Sequence, residues 1–277
     1  MHQSYKSCSP PVGIGFRPEA YEATLKNLER FDVLEIMVDH YISGTHKIRE
    51  RILDLSSRIP VVGHGVGLSI GTAVPPDEFY LDQVAEVLEL IRAPWHSEHL
   101  AFTKVPGRDL AQLLPIPRTV AAAECVIHNL EIVRKHIPKP FALENITYYF
   151  EYSDCELSEQ DFIQLICRES GALLLLDLEN VYLNATNHGY DAFAFIDSFP
   201  KSLVKGVHVA GGTALGALML DSHDRPVPNQ ALELLKYLLR TQTPDSIVLE
   251  RDERLDDFDE VLEDIGRLKA AVSAAAA

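Results

Sequence analysis

A rhythm of alternating segments constrains this chain more than any other feature. Eight short β-type runs recur, at Val12–Phe16, Val33–Val38, Val61–Leu68, Trp95–Phe102, Phe141–Ile146, Ala172–Leu178, Val204–Ala210 and Ser246–Glu250. Between and after them lie stretches with helical spacing, at Pro18–Phe31, Lys47–Ser57, Asp77–Ile91, Pro117–His136, Glu159–Glu169, Tyr190–Ser198, Pro228–Leu239 and Leu255–Val272. In Asp77–Ile91, for example, Phe79, Leu81, Val84, Val87, Leu88 and Ile91 share one stripe, as in a helix that buries one face. Strand-like runs alternating with helices build parallel βα units. Eight such units in 277 residues predict an α/β fold, a single (β/α)8 TIM-barrel domain spanning residues 1–277. An open doubly wound sheet is the alternative. No linker or internal repeat divides the chain, and about ten N-terminal and about five C-terminal residues are expected to be flexible.

Composition removes several classes of function. Asp and Glu number 41 against 25 Lys and Arg, a formal charge of −16, so the chain lacks the broad basic field that captures nucleic acid. No run approaches the roughly 18 apolar residues of a membrane span, and Met1–Pro11 has no basic segment leading into an apolar one, so neither a span nor a signal peptide is expected. The four cysteines show neither a CxxC pair nor a disulfide framework, which fits a reduced, cytoplasmic setting. Neither GxGxxG after a first strand nor GxxxxGK[ST] occurs, so dinucleotide and P-loop chemistry lose their usual signals.

Active sites of such barrels form at the C-terminal ends of the strands. There the third to eighth runs carry His64, then Glu98 and His99, Glu144, Asp177 with Asn180, His208, and Glu250, and Asp221 and His223 follow the seventh. An unpaired buried carboxylate costs several kcal/mol. Three of them (Glu144, Asp177, Glu250) meeting three imidazoles (His64, His99, His208) need a common counter-charge, and metal cations supply it. The lack of cysteine among these positions favours iron, manganese or zinc. One catalytic ion usually takes three protein ligands. Nine candidates, His64, His99, Glu144, Asp177, Asn180, His208, Asp221, His223 and Glu250, therefore point to more than one ion, with Glu144 as a bridge and Asn180, Asp221 and His223 as a third group. Glu98 is expected to orient a ligand. Asp39 and His40 read as substrate contacts or a helix-entry cap, and Asn187-His188-Gly189 as a turn or a substrate element.

The ordered motifs His64-Gly-Val-Gly-Leu-Ser-Ile-Gly71, Ser97-Glu98-His99-Leu100, Leu114-Pro-Ile-Pro117, Leu143-Glu144-Asn145, Leu176-Asp177 with Asn180-Val-Tyr182, Asn187-His188-Gly189, His208-Val-Ala-Gly211 and Asp221-Ser222-His223 closely resemble the multinuclear non-heme iron-dependent oxidative enzymes. The resemblance runs from about Gly13 to Glu250. It implies a TIM barrel with two or three irons, O2 as cosubstrate, and oxidation of a ribosomally made precursor peptide, usually at cysteine. It also implies a small leader-binding partner protein, forming a heterodimer. By position, His64, His99 and Glu144 would hold one ion, Glu144, Asp177, His208 and Glu250 the next, and Asn180, Asp221 and His223 the third. Where similar zinc barrels such as endonuclease IV have His, Asn180 stands. The family's Gly-Leu-Arg-x-x-His pattern is here Gly15-Phe16-Arg17-Pro18-Glu19-Ala20, and Asp39-His40-Tyr41 replaces its usual Glu-Asn-Tyr.

The chemistry expected from this resemblance is work by a mixed Fe(II)/Fe(III) pair on the β-carbon of a bound cysteine, with Glu98, Asn145 and His188 orienting ligands or substrate. Rival readings on the same barrel are a zinc hydrolase or phosphodiesterase, a manganese-dependent sugar isomerase or epimerase, and a metal-storage protein.

Overall fold

The computed structural model describes residues 9–276. Most of the N-terminal stretch expected to be flexible, and Ala277, lie outside the described residues. Eight parallel strands close into a barrel. They are β1 (Val12–Phe16), β2 (Val33–Met37), β3 (Val61–Gly65), β4 (His96–His99), β5 (Phe141–Glu144), β6 (Leu173–Asp177), β7 (Val204–Val209) and β8 (Ile247–Leu249). They neighbour one another in chain order, and β8 pairs with β1 to close the ring. All eight fall within the β-type runs of the sequence, and no open sheet forms.

Register places the polar strand ends side by side. His99 is paired with Glu144 across β4 and β5, and Asp177 with His208 across β6 and β7. Paired residues in a parallel sheet point to the same face, so these four side chains enter the barrel together. One layer lower the interior is apolar: Val33, Val62, Trp95, Ala142 and Leu175 form a separate buried cluster that floors the mouth. Gly206 makes room for it, since a Cβ there would lie 2.9 Å from Trp95 Cη2. The larger core packs the outer strand faces against the surrounding helices, among them Val120–His136, Glu159–Ser170, Asn229–Leu239 and Phe258–Ala275.

Four elements depart from the sequence reading. Leu178–His188 is an eleven-residue helix, capped at its start by Asp177, whose side chain accepts from Asn180 N, and ended by Gly189 at φ 76°. Asn187-His188-Gly189 is therefore the close of a helix, with Gly189 supplying the left-handed residue. Two antiparallel hairpins, Phe102–Val105 with Arg108–Leu114 and Thr213–Leu215 with Leu218–Leu220, follow β4 and β7. Asp39 and His40 sit on the short helix Val38–Ile42 directly after β2. No helix among the described residues is long and apolar enough to cross a membrane.

Candidate metal centre

At the C-terminal mouth of the barrel, His64, Glu144, Asp177 and His208 are at most 1% exposed and Glu250 is 4% exposed. Their ligand-type atoms fall into two groups, His64 with His99 and Glu144, and Glu144 with Asp177, His208 and Glu250, the atoms of each group lying within 4.8 Å of one another. Glu144 belongs to both groups. The sequence expectation of a shared carboxylate midway round the ring thus has a geometric counterpart.

Hydrogen bonds fix which ring nitrogen each histidine turns inward. Ser97 donates its hydroxyl to Gly63 O (3.3 Å), so its oxygen accepts from His64 Nδ1 at 2.9 Å. His99 Nδ1 donates to Gly65 O at 3.1 Å. Both rings then turn Nε2 toward the same oxygen, Glu144 Oε2, at 3.2 Å for His64 and 3.4 Å for His99. Neither His64 Nε2 nor Glu144 Oε2 finds a hydrogen-bond partner. A His64 lone pair turned toward a carboxylate oxygen in a buried site requires a positive species between them. At His64 a proton is disfavoured, because burial and the nearby His99 and His208 rings hold it well below the usual imidazole range. A cation fits these donors.

The second group carries a strong field of its own. His208 Nδ1 lies 3.0 Å from Glu144 Oε1 and 3.1 Å from Glu250 Oε2, and its Nε2 lies 2.8 Å from Glu35 Oε2. Burial opposes its charging, but Glu250, Glu35 and Glu144 outweigh that and raise it well above the usual range. His99 is likewise pushed up to about 9, with Glu144 and Glu98 overcoming burial. Asp177 is pushed up to about 8 by burial and by the charges of Glu144 and Glu250. Its Oδ1 accepts from Asn180 N at 2.6 Å, while Oδ2 is buried without a partner. A proton on Asp177 and a metal ion beside it are alternative ways to neutralise the same oxygen.

Asp221 and His223 meet as a pair, His223 Nε2 lying 2.7 Å from Asp221 Oδ1. His223 Nδ1 is 3.1 Å from Asp252 Oδ2, and Asp252 accepts from Arg17 Nε at 2.6 Å. Asn180 shares their cavity wall, but its amide is engaged: Thr147 donates its hydroxyl to Oδ1, and Nδ2 donates to Asn145 O at 3.0 Å. Asn180 thus ties down the segment after β5, and the structure joins Asp221 to His223 more closely than either to Asn180.

The remaining expected residues mostly brace the site. Glu98 accepts from Leu68 N (2.8 Å) and His99 N (3.1 Å), and Asp39 accepts from Val66 N and from the Tyr80 hydroxyl, both at 2.9 Å. Together they clamp the loop after β3. Asn145 brackets β6, accepting from Asp177 N at 2.9 Å and donating to Asp177 O at 3.0 Å. His188 does not line the cavity; it stacks on Tyr148 at 4.3 Å and its Nε2 is 2.9 Å from Tyr148 O. His40 does line it, with a buried, unpartnered Nδ1, and burial and Arg17 keep the ring below its usual range.

Sequence reading missed Glu35, Ser97, Thr147, Arg17 and Asp252 as parts of this network. Glu35 left a signal, a lone carboxylate between Leu34 and Ile36 in a strand that is otherwise apolar. Glu179 was missed too. It is fully buried, accepts from Gly212 N at 2.9 Å, and is pushed up to about 8 by burial and by Asp177.

A cavity of about 500 Å³ opens above the cluster. His99, Glu144 and Glu250 form part of its base, and Arg17, His40, Tyr149 and the hairpin residues Ala111–Leu113 its walls.

Comparison with known proteins accords with this picture. The chain is 33% identical over 272 residues to a UPF0276 protein of Streptomyces avermitilis, covering 95% of this chain and 55% of that one, so it spans about half of that relative. It is 30% identical over 260 residues to a UPF0276 protein of Caulobacter vibrioides, covering 93% and 92% of the two chains. In fold it is similar to the 3-keto-D-glucoside 4-epimerase of E. coli, with a TM-score of 0.62, 14% identity, and coverage of 94% of this chain and 99% of that one. The profile described as RiPP precursor modification enzyme MbnB/TglH/ChrH matches residues 11–273, and the chain belongs to that family.

Proposed function

We propose that this chain binds two or three iron ions at the barrel mouth and uses O2 to oxidise a residue, most simply a cysteine, of a ribosomally made precursor peptide. It would do so in the cytoplasm, with a small partner protein holding the peptide's leader. The observation that carries the reading is the sharing of Glu144 between two buried groups of nitrogen and oxygen donors. His64, His99 and Glu144 would hold one ion, and Glu144, Asp177, His208 and Glu250 a second. Asp221 and His223 would hold a third, with Asn180 as its neutral member. Iron bound there supplies one-electron chemistry with O2 and acidifies a coordinated thiol.

The chain's own residues set the rest. His64, Asp177 and His208 lie beneath the cavity and are closed to bulk water, whereas His99, Glu144 and Glu250 reach its base. A peptide side chain entering the cavity therefore meets the cluster from above. Arg17 is held against Asp252 at the wall, and the neutral His40 ring offers a hydrogen-bonding edge to a peptide backbone. Asp39 and Glu98 keep the loop after β3 in place as the substrate binds.

The test is anaerobic iron reconstitution, addition of a cysteine-bearing precursor peptide with its leader-binding partner, and then O2. The proposal expects O2 uptake and a changed peptide mass. An unchanged mass with no O2 uptake would overturn it, and turnover with zinc alone would favour a hydrolase.

A further inference from the structure

Four imidazoles belong to the candidate ligand set, and three share one orientation. His64, His99 and His223 each turn Nδ1 to an oxygen of the scaffold (Ser97 Oγ, Gly65 O and Asp252 Oδ2) and leave Nε2 facing the site. His208 is reversed. Its Nε2 is 2.8 Å from Glu35 Oε2, and its Nδ1 sits between Glu144 Oε1 and Glu250 Oε2. Glu35 itself is 2% exposed and rises from the middle of β2, paired with Gly15 on one side and Val62 on the other. It lies one step below the level of His64, which is paired with Met37.

We infer that Glu35 is a positioning residue: it accepts the Nε2 proton of His208 and thereby fixes Nδ1 as the atom this histidine presents to metal. The inference rests on the metal reading of the cluster and adds to it an assignment of ligand atoms. An imidazole has two nitrogens, and its second hydrogen bond decides which one carries the lone pair. A carboxylate acceptor also makes the ring a better donor, and loss of such a partner typically costs about 10–100-fold in metal affinity. Glu35 cannot take the ligand role in place of His208, because the imidazole stands between it and Glu144 and Glu250. His64 and His99 have their own scaffold acceptors, so their orientation does not depend on Glu35.

The test uses zinc, a diamagnetic probe, on the 277-residue chain labelled with 15N-histidine. Long-range proton–nitrogen correlation reports which ring nitrogen is protonated and which is metallated, and the His208 signal is identified by its loss in His208→Gln. The wild type is expected to show His208 protonated at Nε2 and metallated at Nδ1. Glu35→Leu is expected to weaken one zinc by about 10–100-fold and leave the His64 and His99 signals in place. Glu35→Gln, whose amide oxygen still accepts, is expected to restore the wild-type pattern. Metallation of His208 through Nε2, or a Glu35→Leu protein that binds as many zinc ions as tightly and with the same His208 signal, would overturn the inference alone. A wild type that takes up no zinc at all would overturn the metal reading and the inference with it. The wild-type measurement decides the assignment even if Glu35→Leu does not fold.

Discussion

His64 Nε2 and Glu144 Oε2 face each other 3.2 Å apart, both buried and both without a hydrogen-bond partner. The scaffold holds His64 there, since its Nδ1 donates to Ser97 Oγ, and the other oxygen of Glu144 lies 3.0 Å from His208 Nδ1. Two acceptors in that position repel unless a cation joins them. Glu144→Gln replaces the only residue shared by both donor groups with a neutral amide that bridges metals poorly. Activity is expected to fall by more than about 100-fold, beyond the 10–100-fold usual for outer contacts. The check is a rate measurement beside circular dichroism, which should remain native.

The metal-free chain should lose stability as pH rises. Asp177 and Glu179 are both pushed up to about 8, from ordinary values of 3.8 and 4.5. Between those limits the folded chain holds protons that the unfolded chain has released, so each upward step in pH favours unfolding. This contribution is fully present below the ordinary carboxylate range and lost by about pH 8. Melting temperatures of chelator-treated protein across pH 5 to 8.5 should therefore decline (roughly the window in which these groups titrate). Metal-loaded protein should lose the Asp177 part of that slope, because an ion takes the place of the proton. Asp177→Asn in the metal-free state should flatten the slope too, as an amide still caps the helix.

The polar cluster stands on an apolar floor, and that floor depends on a missing side chain. A Cβ on Gly206 would lie 2.9 Å from Trp95 Cη2 and 3.0 Å from Leu175 Cδ1, both inside the barrel. Gly206→Ala should destabilise the fold by about 1–3 kcal/mol through overpacking. Chemical denaturation reads this directly, and an unchanged midpoint would show that Trp95 can move aside.

Asn145 holds β5 and β6 together through two hydrogen bonds to the backbone of Asp177. Asn145→Ala strands the buried N–H of Asp177, at a cost of about 1–3 kcal/mol, while the Asp177 C=O keeps the first bond of the helix it caps. Metal affinity at the second group should fall while the first is retained. Calorimetric titration with zinc should show one weakened site beside one unaltered site.

Much of this was legible in the sequence because barrel strands are short and their ends are marked. Each run from β3 to β8 carries a His or a carboxylate at its C-terminal end, and parallel register then sets neighbouring ends side by side, as with His99 and Glu144. The helix Leu178–His188 was hidden because it follows β6 with no loop between, Asp177 being at once the last residue of the strand and the cap of the helix. The hairpins after β4 and β7 were hidden because both lie in loops whose strands are only three to seven residues long. Glu35 escaped because strand-end reasoning looks at the last residues of a run, whereas this carboxylate enters from mid-strand and acts through His208. His188 misled for the opposite reason: a histidine beside Gly189 reads as a site element, yet stacking on Tyr148 occupies it.

The most direct test of the account is the iron content of wild-type protein stripped with chelator, saturated anaerobically with Fe(II) and freed of excess metal. The sharing of Glu144 predicts at least two irons per chain (about twice what a single three-ligand site holds), falling to one or none in Glu144→Gln. A saturated wild type that retains one iron or none, with its fold intact, would contradict it.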